Sequence, residues 1–234
     1  MISPEELFLS ASCDKRISAL SLKSKTQLTS LFGECFAEMK GYEQKNPHHC
    51  YDLLSHTIHT VLAIHKNDLP EKDFVCLRIA ALFHDIGKPA VAFWKNDRQV
   101  FYGHAEKSSE IAFNLLSEIG LEQQDIKKIR FFIKHHDDFI SFKHKDEFAD
   151  DGNPHIKLIS RDAVMSKVKS IQEKSAEHHE YIPKVKDFKL LFLLCKADAE
   201  AQKDVVMQGG NIVDSKENKI KRFEAIISCL DLDA

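Results

Sequence analysis

Glycine and proline are scarce in this chain, eight and six among 234 residues, and valine and isoleucine rarely alternate with polar neighbours. Strands joined by tight turns need both features, so the pattern excludes a turn-rich all-β architecture. The six cysteines (Cys13, Cys35, Cys50, Cys76, Cys195 and Cys229) include no C-x-x-C pair. That excludes a zinc finger and reads as reduced, mostly buried thiols of a cytosolic protein. The formal net charge is only -3, which argues against a broad nucleic-acid or membrane footprint but leaves room for a local basic groove. The start, Met1 to Glu6, has neither a basic segment nor a long apolar one, and the run Leu190 to Cys195 is far too short to span a bilayer. A cytoplasmic protein is expected, with no membrane partner.

What is present is an apolar spacing of three or four residues almost throughout, and thirteen histidines concentrated between His48 and His179. The fold class expected is all-α. Its organising stretch is Ala80 to Pro89, within an apolar run that begins at Phe74 and lacks a solvent-facing stripe. Such a run predicts a buried helix, ended by Gly87 as a cap and Pro89 as a breaker. Its last turn sets His84 and Asp85 side by side in the core. A buried, unpaired carboxylate costs several kcal/mol, and a divalent cation satisfies both groups at once.

The other helices supply partners. Residues 3–40 form short helical patterns, read as an N-terminal segment before Gly41. A helix over Asp52–His65 carries His56, and Gly103-His104 opens another that Gly120 closes. Residues 122–136 form an amphipathic helix ending in His135 and His136. A polar stretch from Asp137 to Pro154 reads as a long loop with the character of a lid. A charged, peripheral helix is predicted over Ile156–Glu177. In the helix Asp187–Val206, Leu191, Leu194, Asp198 and Ala201 share one face, which puts a carboxylate on a core-facing stripe. Gly209-Gly210-Asn211 reads as a turn before a last amphipathic helix built on Ile220, Phe223, Ile227 and Leu230. The organisation expected is 1–40, 41–208 and 209–234, with the terminal helix packed on the central region or free to serve as an interface.

Polar groups aimed at an apolar interior are then His56, His84, Asp85, His136 and Asp198, with His49, His104, His135 and Lys88 nearby. Nitrogen and carboxylate ligands without thiolate suit Mn, Fe, Mg, Ni or Co, and also Zn.

The order His56, His84-Asp85, Asp198 resembles the H…HD…D signature of the HD-domain metal-dependent phosphohydrolase superfamily. The stretch His84-Asp85-Ile86-Gly87-Lys88 matches its H-D-I-G-K form, and Gly103-His104-Ala105-Glu106 and Ile133-Lys134-His135-His136-Asp137 resemble its additional histidines. Around Gly41-Tyr42-Glu43-Gln44, Asn46 to Asp52 and Ala197 to Gln202 the chain is similar to the HD region of bacterial CCA-adding tRNA nucleotidyltransferases. It has no Gly-rich nucleotidyltransferase loop with paired aspartates, so polymerase activity is not implied.

The resemblance implies an HD-domain-like helical bundle in which His56, His84, Asp85 and Asp198 hold one divalent metal. His104, His135 and His136 then hold a second or grip phosphate, with Asp85 as the bridge. Lys88 and His49 are expected to act in catalysis and substrate binding, Lys88 on a phosphoryl oxygen and His49 as substrate contact or general acid; His135 is a further substrate contact. The reaction implied is hydrolysis of a phosphomonoester or phosphodiester, on a nucleotide or an RNA end such as a 2′,3′-cyclic phosphate. Two other readings fit the same residues: a non-catalytic module that binds tRNA or a nucleotide around a structural metal, and a di-iron oxygenase.

Overall fold

The computed structural model describes residues 1–147, 156–208 and 211–231. The fold is mostly helical. Four short helices come first: α1 (Pro4–Ala11), α2 (Asp14–Ala19), α3 (Lys25–Phe32) and α4 (Glu34–Glu38). They share the main core, since Phe32 and Phe36 meet Phe83 at ring-centroid separations of 6.1 and 5.8 Å. Next are α5 (Leu53–Ala63) and α6 (Glu71–Phe83). Asp52 caps α5 by accepting from the Ser55 amide at 2.7 Å, and its other oxygen accepts from the Gly41 amide.

Every residue of α6 from Phe74 to Phe83 is buried. A helix apolar on all sides has no surface to show and becomes the centre of the molecule. The one cation within its buried stretch Phe74–Phe83, Arg78, reaches Asp14 of α2 at 2.7 Å.

The expected role of Gly87 as a helix cap is not what occurs. Residues 84–87 form a turn, Gly87 has φ −81, and Pro89 stands in the first turn of a short helix, α7 (Lys88–Val91). Proline fits there because the first turn has no amide bond to lose. Glycine is needed for a different reason: a Cβ at this position would lie 2.6 Å from the Ser108 amide nitrogen and 2.9 Å from the His104 carbonyl oxygen. The Gly87 amide also donates to Ser108 Oγ at 2.9 Å.

Around Trp94 the chain forms a hairpin, β1 (Phe93–Lys95) with β2 (Arg98–Val100), turned by Asn96 and Asp97 at φ 49 and 59. Then follow α8 (His104–Glu118), with Gly103 before it at φ 79, and α9 (Gln123–His135). The lid expected over 137–154 is partly anchored in its described portion. Phe139 and Phe142 are buried, and β3 (Phe142–Lys143) pairs in parallel with β4 (Lys157–Leu158); Pro154 lies outside the described residues.

That pairing delays α10 (Arg161–Glu177), whose first turn is capped by Ser160. α11 (Val185–Glu200) stops short of the expected Val206. The chain leaves the helix because the Ala201 carbonyl turns to the His56 ring and the Lys203 amide donates to the His48 carbonyl at 3.0 Å. Val206 then belongs to a hairpin of β5 (Val205–Gln208) and β6 (Asn211–Ser215), and α12 (Lys216–Asp231) follows; Gly209 and Gly210 lie outside the described residues. α11 packs on α5, α6 and α12. No helix among the described residues is long and apolar enough to cross a membrane.

Candidate metal centre

Four histidines and two aspartates from five places in the chain meet at the heart of this bundle. His56 projects from the middle of α5, His84 and Asp85 from the end of α6, His104 from the first turn of α8, His136 from the end of α9, and Asp198 from the last turn of α11. His56, His84 and Asp85 are almost wholly buried, while Asp198 keeps a side-chain exposure of 19%.

All four rings are held the same way. Nδ1 of His84, His104 and His136 lies 2.7, 2.9 and 2.7 Å from the carbonyl oxygen three residues back, that of Ala81, Phe101 and Ile133. His56 Nδ1 lies 3.3 Å from the Ala201 carbonyl. A carbonyl oxygen only accepts, so each Nδ1 carries the hydrogen and each Nε2 is left to the cluster. Backbone anchoring of one ring nitrogen is how metal-ligating histidines are oriented.

The Nε2 atoms surround Asp85. Its Oδ2 is 3.2 Å from His84 and 3.5 Å from His56, whereas its Oδ1 is 3.2 Å from His104 and 3.8 Å from His136. Asp198 Oδ1 stands 2.9 Å from His56 and 3.6 Å from His84. These approaches are close but out of line for hydrogen bonds in several cases. Nε2 of His56 and of His84, and both Asp85 oxygens, are buried without an aligned hydrogen-bond partner, the Lys88 ammonium at 2.7 Å from Oδ2 being an ion-pair contact. His104 and His136 even turn their Nε2 atoms toward each other at 3.2 Å, two lone pairs that require a proton or a cation between them.

The charge balance has the same cause. Burial alone would raise the carboxyl pKa of Asp85 and Asp198, yet the surrounding imidazoles, and Lys88 for Asp85, hold both well below the usual range. Burial disfavours the imidazolium at His84, but the two carboxylates outweigh it and push the ring up to about 10; His56 and His104 are raised by the same opposition. The carboxylates thus favour positive charge at the ring nitrogens, the charge a cation would supply. Orphaned polar atoms, fixed Nε2 lone pairs and an oxygen–nitrogen donor set all fit a divalent metal. Three overlapping groups have ligand atoms close enough for one ion: His56, His84 and Asp198; His84, Asp85 and His136; His104, His136 and Asp137.

Residues 53–200, more than half of the chain, match the HD domain family. The chain belongs to the HD-domain family. No curated protein matches it. HD-domain proteins are typically metal-dependent phosphohydrolases, and the buried histidine–aspartate cluster suits that chemistry.

The HD centre floors a cavity of about 410 Å³, walled on one side by Lys88, His49 and Phe101 and on another by residues of β2, β3 and α12. Lys88 Nζ lies 2.7 Å from Asp85 Oδ2 and donates to Gln44 Oε1 at 2.9 Å. His49 sets its ring edge against His56 with 4.9 Å between centroids; burial first, and Lys88 next, drive it to the neutral form.

His135 is not brought to the cluster. Its Nδ1 pairs with Asp138 at 2.7 Å, its ring packs 5.2 Å from Phe131, and it lines a separate cavity with Lys127 and Tyr181. Successive residues on a helix lie about 100° apart, so only one of the two adjacent histidines can face inward. The neighbour that does reach the site is Asp137, 3.3 Å from His104 Nε2 and 3.6 Å from His136 Nε2. Gln202, whose Nε2 donates to Asp198 Oδ2 at 3.1 Å, is the other residue without a prior role. The run His135-His136-Asp137 is the only sequence signal for the first, and a polar residue four beyond Asp198 the only one for the second.

Proposed function

We propose that this HD-domain chain hydrolyses a phosphomonoester or phosphodiester with two divalent ions, one held by His56, His84, Asp85 and Asp198 and the other by Asp85, His104, His136 and Asp137. The observation that carries the reading is the division of Asp85, one oxygen toward each histidine pair. A shared carboxylate flanked by two ligand sets is what a two-metal phosphoryl site requires. The chemistry such ions supply is Lewis acidity toward a water and a phosphoryl oxygen.

The chain's own groups do the rest. Lys88 is held by Asp85 and Gln44 at the cavity wall, where its ammonium meets a phosphoryl oxygen as a point charge. His49, whose ring edge packs on His56 at the cavity wall, is a contact for substrate or a general acid for the leaving group. Phe101, Phe139 and Val100 make the cavity partly apolar. The substrate class we infer is a nucleotide or an RNA end. The similarity to the HD region of CCA-adding enzymes around residues 41–52 and 197–202 supports the RNA end, including a 2′,3′-cyclic phosphate.

The test is elemental analysis of chain purified without added metal, coupled to a phosphoester screen before and after metal replacement. One or two transition-metal ions per chain are expected, with hydrolysis lost in chelator, restored by Mn, Ni, Co or Mg, and abolished in Asp85→Ala. Activity in Asp85→Ala equal to that of the parent chain overturns the assignment. Metal-free chain inactive with every metal replaces it by the tRNA- or nucleotide-binding module.

A further inference from the structure

The cavity above the metal centre has a second charged wall, and part of it lies outside the HD match. Arg98 of β2, Lys143 of β3, and Lys219 and Arg222 of α12 all face into it. Two carboxylates answer these four cations. Glu147 and Asp214 both grip Arg222, and Asp214 stands 3.7 Å from Lys219. Among the described residues neither Arg98 nor Lys143 has a carboxylate within ion-pair distance, Glu147 and Asp214 acting on Lys143 only at longer range, so cations outnumber the carboxylates paired with them on the described part of this wall.

The neighbours register that surplus. Burial, and next the charge of Arg222, lower the pKa of the half-buried Lys143 ammonium. His48, which accepts a hydrogen bond from Lys219 Nζ at 3.1 Å, is lowered to about 4 by burial and then by that same lysine. Lys219 also donates to Gln202 Oε1 at 2.6 Å, which joins this wall to Asp198 through one amide. Apolar surface from Ile140 and Phe223 lines the cavity as well.

We propose that this wall is a subsite for a second phosphate group, so that the chain takes small phosphoesters bearing two separate phosphates on one molecule. The proposal rests on the phosphohydrolase reading for the first phosphate, which sits at the metal centre. A phosphate here supplies the missing countercharge, and fixed cations around an anion form charge-assisted hydrogen bonds. The apolar residues receive the organic part that joins the two phosphates. Specificity then depends on α12 and β3 as much as on the metal ligands.

Two measurements decide it. Inorganic phosphate titrated into the chelator-treated full chain and followed by phosphorus NMR line broadening reports binding in the cavity, and the variants of the basic wall separate its share from that of Lys88. Binding is expected, weakened about tenfold in Lys143→Met and in Arg98→Met, the loss that one charge-assisted contact carries. Arg98 is exposed, so its variant keeps the fold even where Lys143→Met does not. Absence of broadening, or equal broadening in all three proteins, overturns the subsite. In the metal-loaded chain, kcat/KM for adenosine 3′,5′-bisphosphate is expected to exceed that for adenosine 5′-monophosphate, with the ratio falling toward one in both variants. A ratio of one in the parent chain also overturns it. Failure to hydrolyse any phosphoester removes the phosphohydrolase reading, and the NMR titration still rules on the subsite.

Discussion

Asp198 is the most exposed of the cluster's core side chains, and a single side chain, Gln202, restrains its second oxygen. Outer hydrogen bonds of this kind set ligand orientation, and their removal weakens metal affinity about ten- to a hundredfold. Gln202→Leu is therefore expected to lower affinity for the metal by that factor while leaving helix content unchanged, as read by competition with a chromophoric chelator. At this scale the sequence was informative wherever a ligand lay on a regular helical stripe. Asp198 and His136 lie on such stripes, His84 and Asp85 end a run apolar on every side, His56 lies on a face adjoining the stripe of its helix, and His104 marks a helix start. Asp137 and Gln202 lie just past the last turns of α9 and α11, where periodicity no longer says which way a side chain points. His135 failed for the complementary reason: identical in type to its neighbour, it is separated from the site by 100° of helix rotation alone.

At the scale of elements, α12 is held across the cavity by Arg222, whose guanidinium is shared by Glu147 and Asp214. Burial alone would raise both carboxyls, but Arg222 lowers Glu147 below 4.5, and Arg222 followed by Lys219 lowers Asp214 below 3.8. Carboxyls depressed in the fold stabilise it above their unfolded values and lose that contribution as the pH falls through the folded ones. Arg222→Met is expected to cost about 2 kcal/mol near neutrality. The gap from the parent chain should stay level above about pH 5 and close below about pH 4, in urea unfolding measured across that range. A gap independent of pH would show that Arg222 acts through packing alone. The helices were legible from apolar spacing, but the three small strand pairs were not. β3 and β4 have two residues each, too few for an alternation to register, and β5 reads as a continuation of α11 until the Ala201 carbonyl is claimed by His56.

For the whole molecule, the cluster is an electrostatic debt at the centre of the core: buried acceptors face one another with no positive charge built between them. Metal binding should thus appear as global stability. At a free metal concentration one hundredfold above Kd the gain is about 2.7 kcal/mol, so a chelator should lower Tm by several degrees and Mn or Ni should restore it. A Tm indifferent to both would contradict a cation at the centre. The location of the debt was readable from Phe74 to Asp85, because a helix apolar on every side leaves no other place for His84 and Asp85 than the interior.

The four ring anchors also imply an order of assembly. Three rings receive their orientation from a carbonyl three residues earlier in their own segment, so a local turn is enough to aim them. The His56 ring is aimed by a carbonyl 145 residues further along the chain, and it acquires its direction only when α11 has docked on α5. Completion of the ligand set coincides with closure of the bundle. A nascent chain that has made every segment through α9 therefore still lacks Asp198 and an aimed His56 ring, so of the two groups around Asp85 the one with His56 is completed last.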